Sequence, residues 1–181
     1  MNALLGASRV VDGVNTWIGR IAAWALLVAI VVSSVNAIVR KVFSVSSNGW
    51  LELQWYLFGC AFMLCAAWAL KLNEHIRIDI VSDRLSRRTR DWIEVFGHLF
   101  FLLPFGILMI RLSIPFAAAS FNSNEYSSNA GGLPIWPAKA LILAGFVMLV
   151  AQSLSELVKR IAIMRGLIED PAADEAASPK P

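Results

Sequence analysis

The sequence predicts an all-α membrane protein with four transmembrane helices and with both termini in the cytoplasm. First, 57% of the 181 residues are hydrophobic and only 16% are charged, and the mean hydropathy of +0.63 lies outside the range of soluble domains. Second, four apolar runs are long enough to cross a hydrocarbon core about 30 Å thick. Third, the basic residues concentrate on one side of these runs.

The four apolar runs fall at about residues 17–39, 51–70, 95–119 and 134–158. They are continuously apolar rather than alternating, which favours helices over barrel strands. Residues 1–168 are therefore predicted to form one membrane domain. Residues 169–181 are too poor in apolar side chains to fold alone, and we expect a disordered tail there. Ser86 is a candidate N-cap of the third helix, and Pro104 is expected to bend that helix.

The orientation follows from the distribution of Lys and Arg. If the N-terminus is cytoplasmic, twelve of the sixteen basic residues lie on the cytoplasmic side. The other four, assigned to the outer side, are Arg40, Lys41, Arg111 and Lys139. Cytoplasmic loops carry the excess of basic residues in membrane proteins, so both termini are predicted to be cytoplasmic.

Motifs of catalytic sites are missing from the sequence. It contains no HExxH, GxxxxGK[ST], GxSxG or GxGxxG, which leaves metal hydrolysis, nucleotide binding and serine hydrolysis without support. Cys60 and Cys65 are too far apart for a CxxC redox pair. His75 and His98, the two histidines, are not placed to ligate a haem from facing helices. The sequence thus predicts no enzyme, no cofactor, no metal and no nucleic-acid partner.

Ionisable groups are expected at the head-group boundaries, with the hydrocarbon interior left inert. Glu52 opens the second span on the predicted outer side, where a carboxylate is costly unless it is paired. An ion pair with Arg40 or Arg111 is therefore predicted, and the alternative is that Glu52 reaches water. Basic residues of the loop between the second and third spans are placed to contact anionic head groups of the lipid bilayer. A general acid–base role for His75 is a further alternative in that loop.

Three segments, in order, carry a resemblance to a known family. They are VNAIVRKVF, WLELQWYLFGCAFMLCAAWALKLNEHIRIDIVSDRL and GGLPIWPAKALILAGFVMLV. The chain resembles, over roughly residues 14–160, the small DctQ-type membrane subunit of tripartite ATP-independent periplasmic (TRAP) transporters. One departure is Lys41, since the family often has an aromatic residue after the arginine that ends the first span.

The resemblance implies a non-catalytic scaffold in the bacterial inner membrane. Its partners would be a large multi-span membrane subunit, which holds the substrate and sodium sites, and a periplasmic substrate-binding protein that delivers an organic acid. Two alternatives stay open. The chain could anchor a respiratory or redox complex in the membrane, or it could be a small autonomous carrier.

Site residues are assigned on the same resemblance. Arg40 and Glu52 are expected to stabilise the outer end, and His75, Arg77 and Asp79 to order the cytoplasmic turn. The outer loop before the fourth span is expected to dock the binding protein through Glu125, Gly131, Gly132, Pro134 and Trp136.

Overall fold

The computed structural model describes residues 2–45, 47–72 and 86–168. Within these ranges the regular structure is helical, apart from one isolated antiparallel bridge between Tyr126 and Pro134. The elements in chain order are α1 (Asn2–Phe43), α2 (Asn48–Leu72), α3 (Arg87–Gly97), a π-helical turn (His98–Leu102), α4 (Leu103–Asn122) and α5 (Trp136–Met164).

Among the described residues, four long helices are apolar enough to cross a membrane, which confirms the predicted all-α fold with four spans. The segments α3, the π-helical turn and α4 follow each other without a break, and we call them together the third rod. The four long helices are α1, α2, the third rod and α5. The helix α1 has 42 residues, which at 1.5 Å per residue is about 63 Å, well beyond the hydrocarbon thickness. Three predicted runs lie wholly inside these helices, and the run at 134–158 starts two residues before α5.

The third rod begins at the predicted cap and changes geometry near Pro104. The side chain of Ser86 accepts a hydrogen bond from the backbone N–H of Thr89 at 3.2 Å, so the N-cap prediction is confirmed. The π-helical turn ends two residues before Pro104. Because a proline ring clashes with the carbonyl four residues earlier, a widened turn at this point makes room for the ring.

The helix α5 is the centre of the packing. It contacts α1, α2 and the third rod, and α1 and α2 also pack against each other. The substantial contacts of the third rod, by contrast, are with α5 alone. We call the end that holds residues 2, 72, 87 and 164 the termini end, and the opposite end, with connections 44–47 and 123–135, the loop end.

Glycines permit the closest approaches between the helices. A Cβ atom on Gly145 of α5 would lie 2.9 Å from both the Cβ and the carbonyl oxygen of Met63 on α2. A Cβ atom on Gly19 of α1 would lie 2.7 Å from the Cβ of Trp68 on α2. These positions exclude any larger side chain unless the helices move apart.

Replacing Gly145 by leucine is expected to destabilise the bundle by about 1–3 kcal/mol, because the new side chain must push α2 away from α5. The thermal unfolding midpoint of the purified protein in detergent measures this. Gly59→Leu is the matched control, since a Cβ atom at Gly59 would meet nothing within 4 Å. Equal midpoints for the two variants would contradict the close approach.

Candidate functional site

The carboxylate of Glu52 organises the loop end. Glu52 lies in the first turns of α2 and is 5% exposed. Its Oε1 accepts hydrogen bonds from the Ser127 hydroxyl and from Asn129 Nδ2, the latter at 2.9 Å. Its Oε2 accepts from the backbone N–H of Leu133 at 2.6 Å. One carboxylate therefore binds three donors of a loop that lies about 80 residues further along the chain.

This loop, residues 123–135, is folded on itself; we call it the outer loop. The Ser127 N–H donates to the Leu133 carbonyl at 3.0 Å, and the Ile135 N–H donates to the Glu125 carbonyl at 2.9 Å. The turn between them contains Gly131, whose φ of 72° favours glycine. The outer loop is thus a short hairpin-like turn with its own backbone hydrogen bonds.

Further contacts fix the outer loop to the start of α2. Asn48 Nδ2 donates to the Ala130 carbonyl at 3.1 Å, and the Tyr56 hydroxyl donates to the Pro134 carbonyl at 2.9 Å. Gly132 is packed so closely that a Cβ atom would lie 3.0 Å from Glu52 Oε1. Including the three donors bound by Glu52, five side-chain and backbone groups of the loop are therefore hydrogen-bonded to α2.

An ion pair joins the outer loop to α5. Lys139 Nζ lies 2.5 Å from Glu125 Oε2 and 4.2 Å from the centre of the Phe116 ring. The hydrogen bond from Lys139 holds the pKa of Glu125 below its ordinary value, so this carboxyl stays ionised at neutral pH. The ammonium group is thereby satisfied on both sides, by a carboxylate and by the face of an aromatic ring.

The predicted ion pair of Glu52 with an arginine is wrong. The hydrogen bonds that Glu52 accepts come from the outer loop, and neither Arg40 nor Arg111 forms an ion pair with it in the described part of the chain. Arg40 is exposed in the last turn of α1. Arg111 is exposed on the third rod, which packs against α5 rather than α2. The outer loop, rather than an arginine, therefore satisfies this carboxylate.

The residues predicted to dock a partner come together at the loop end. Trp136 is 39% exposed and its ring packs edge-on against Phe121, with 5.4 Å between ring centroids. Gly131 is exposed, while Gly132 and Pro134 are half-buried against the rest of the loop. His75, Arg77 and Asp79, the residues predicted to order the turn after α2, lie outside the described residues.

A buried polar network, which sequence reasoning missed, joins α1 to α5 at the termini end. Gln152 is fully buried, and its Nε2 donates to Asp12 Oδ1 and to Glu156 Oε1, both at 2.8 Å. Its Oε1 accepts from Asn15 Nδ2 at 2.7 Å. Lys159 Nζ lies 2.9 Å from Asp12 Oδ2. The oxygen and the nitrogen of the Gln152 amide thus both have hydrogen-bond partners, which lie on α1 and on α5 itself.

Polar contacts also attach the third rod to α5 at the termini end. Arg160 on α5 forms ion pairs with Asp91, at 3.2 Å, and with Glu94. One turn further in, His98 Nδ1 lies 2.9 Å from the Ser153 hydroxyl. The histidine ring is therefore engaged by the neighbouring helix.

The spacing of the polar residues could have revealed this network. On α5, Gln152, Ser155 and Lys159 follow each other at intervals of three and four, which places them on one helical face. On α1, Asp12 and Asn15 share a face for the same reason. Both helices extend beyond their apolar runs, and each has a stripe of polar residues. Two such stripes predict that the helices contact each other through them.

The chemistry available in these two sites is hydrogen bonding and ion pairing. Among the described residues, no group of three His, Cys, Asp or Glu side chains could hold a metal ion. The thiol of Cys65 donates to the Gly19 carbonyl at 3.3 Å, a contact between α2 and α1. The fold and the two sites together define a multi-pass membrane protein whose polar groups hold its helices and one surface loop in place.

Comparison with known families identifies the kind of membrane protein. Residues 27–162 match the family described as "Tripartite ATP-independent periplasmic transporters, DctQ component". The match covers most of the chain, and the chain belongs to this family. It is a component of a TRAP transporter, as the sequence predicts. Searches of curated proteins and of solved structures give no match.

Proposed function

We propose that this chain is the small permease subunit of a TRAP transporter in the bacterial inner membrane, with both termini in the cytoplasm. It acts as a scaffold for the large membrane subunit, which binds substrate and sodium. The transporter imports an organic acid that a periplasmic binding protein delivers. In this orientation the loop end faces the periplasm, and the outer loop is the docking surface for the binding protein. Family membership favours this function over a redox anchor or an autonomous carrier.

The observation that carries the proposal is the preformed outer loop. Its exposed side is made by Tyr126, which is 65% exposed, and by the turn at 128–131. Its other side is bound to the carboxylate of Glu52 and to the helix α2. A loop that is ordered before a partner arrives loses little conformational entropy on binding. Its rigidity therefore favours a role in recognition.

The termini end supports the scaffold role. The network around Gln152 fixes α1 against α5, and the ion pairs of Arg160 fix the third rod against α5. Each contact satisfies a buried polar group, so sliding one helix past another would break several hydrogen bonds at once. A part of the transporter that resists such motion can hold a moving subunit.

Replacing Ala130 by tryptophan tests the docking surface. The Ala130 side chain is exposed, whereas its carbonyl binds Asn48, so the loop should keep its fold. We expect uptake at a low concentration of binding protein to fall by about tenfold, because the added ring obstructs the contact. Uptake should recover as the concentration of binding protein is raised.

The matched control is Leu167→Trp, which adds the same ring to an exposed position at the termini end. Its uptake should equal that of the wild type. The amount of large subunit copurified with each variant is measured alongside. Wild-type uptake by the Ala130→Trp variant at all concentrations of binding protein would contradict docking on the outer loop.

A further inference from the structure

Arg111 occupies an unusual position on the third rod. It is exposed and lies on the side of the rod that faces away from α5. The buried residues nearest to it in sequence, Gly106 and Ser113, are about 140° and 160° away around the helix at about 100° per residue. A Cβ atom on Gly106 would overlap the side chain of Val150 on α5, which fixes the packed face. The guanidinium group is therefore directed outward from this chain.

Contacts with α5 place Arg111 deep within the apolar stretch. Towards the loop end, Phe121 packs on Trp136, and it lies ten residues, or about 15 Å, from Arg111. Towards the termini end, His98 contacts Ser153, and it lies thirteen residues, or about 20 Å, away. Arg111 thus lies between these two levels of helix packing, inside the candidate span formed by residues 88–122.

The side chain of Arg111 lacks a partner in the described part of the chain. Among the described residues Arg111 forms no ion pair or side-chain hydrogen bond. A charged group among apolar side chains at this depth is costly unless it is paired. The site therefore offers an exposed cationic donor to a partner outside this chain.

We propose that this face of the third rod is the contact surface for a membrane-spanning helix of the large subunit, and that a carboxylate on that helix pairs with Arg111. The proposal rests on the proposed function. A phospholipid head group fits less well, because an arginine side chain spans on the order of 7 Å, about half the distance to the level of Phe121 and Trp136.

The test coexpresses the tagged chain with its large subunit and measures how much large subunit copurifies. Arg111→Leu is expected to lower the recovery by about tenfold or more, because it leaves the partner carboxylate unpaired in the membrane. Arg111→Lys, which keeps the charge, should retain more of the partner than Arg111→Leu. Arg165→Leu is the matched control, since it removes an exposed arginine at the termini end, and its recovery should equal that of the wild type.

Crosslinking provides a second measurement. A photoreactive amino acid replaces Leu108, and Arg111 is left unchanged. Leu108 is exposed on the same face of the rod, and it should crosslink to the large subunit. Equal recovery with Arg111→Leu and the wild type, or crosslinking of Leu108 to lipid alone, would overturn the proposed contact. Failure of the wild-type chain to recover any large subunit would instead contradict the proposed function.

Discussion

Replacing Glu52 by leucine is expected to loosen the outer loop from α2 and to lower binding-protein-dependent uptake by about tenfold or more. The carboxylate binds the Ser127 hydroxyl, the Asn129 amide and the Leu133 N–H. Leucine accepts no hydrogen bonds, so the three donors lose their shared acceptor and the hydrogen bonds from Asn48 and Tyr56 are left to hold the loop to α2. The large subunit should still copurify, because its proposed contact surface lies on the third rod.

Hydrogen exchange and uptake together test this prediction. The amide of Leu133 should exchange much faster in the Glu52→Leu variant than in the wild type, since it loses its acceptor. Glu52→Gln should have an intermediate effect, because a glutamine side chain keeps one acceptor oxygen. Gln54→Leu is the matched control two residues away and should resemble the wild type. Unchanged exchange and unchanged uptake in Glu52→Leu would refute the role of this carboxylate.

Replacing Gln152 by leucine is expected to destabilise the bundle by about 2–4 kcal/mol. The buried amide satisfies Asn15 on α1 and both Asp12 and Glu156. Leucine has a similar volume but leaves the buried Asn15 amide with only the long 3.4 Å hydrogen bond to the Met148 carbonyl, and it removes a donor from each carboxylate. The penalty of these unsatisfied groups exceeds the gain from the added apolar surface.

Unfolding of the purified protein in detergent measures this effect. A double-mutant cycle with Asn15→Leu should show a favourable coupling of about 1 kcal/mol or more between the two amides. The matched control is Leu154→Ala, an exposed position on the same helix, which should cost little. Additive effects of Gln152→Leu and Asn15→Leu would show that the network does not act as a unit.

The four helices could be predicted because apolar length alone specifies them. Each of the runs at 17–39, 51–70 and 95–119 lies within a helix of the structure. The extra length of α1 could not be read from hydropathy, because residues 2–16 are helical through contacts with α5. The Ser8 hydroxyl, for example, lies 2.5 Å from that of Ser155, 147 positions away.

The outer loop was predicted as a surface, but the way it is held was not. Charge attraction suggested an arginine as the partner of Glu52. The actual donors are a hydroxyl, an amide and a backbone N–H from a loop about 80 positions away. A backbone donor carries no residue-specific signal in the sequence, so only the fold could identify it.

The position of Arg111 along the third rod could not be read from the sequence for a different reason. Counting basic residues by side assigns each one to the nearer boundary, and Arg111 was placed on the outer side by that rule. The contacts of Phe121 with Trp136 and of His98 with Ser153 fix the levels of the third rod. Helix packing, rather than hydropathy, therefore places Arg111 between the levels of these two contacts.

The central claim is that this chain supports transport by contacting its partner proteins and does not carry the substrate itself. Uptake of an organic acid into proteoliposomes tests this claim most directly. Sodium-driven uptake is measured with the binding protein outside and with this chain, the large subunit or both in the bilayer. Rapid uptake is predicted only when both are present. Uptake by this chain alone, or undiminished uptake by the large subunit without it, would contradict the scaffold function.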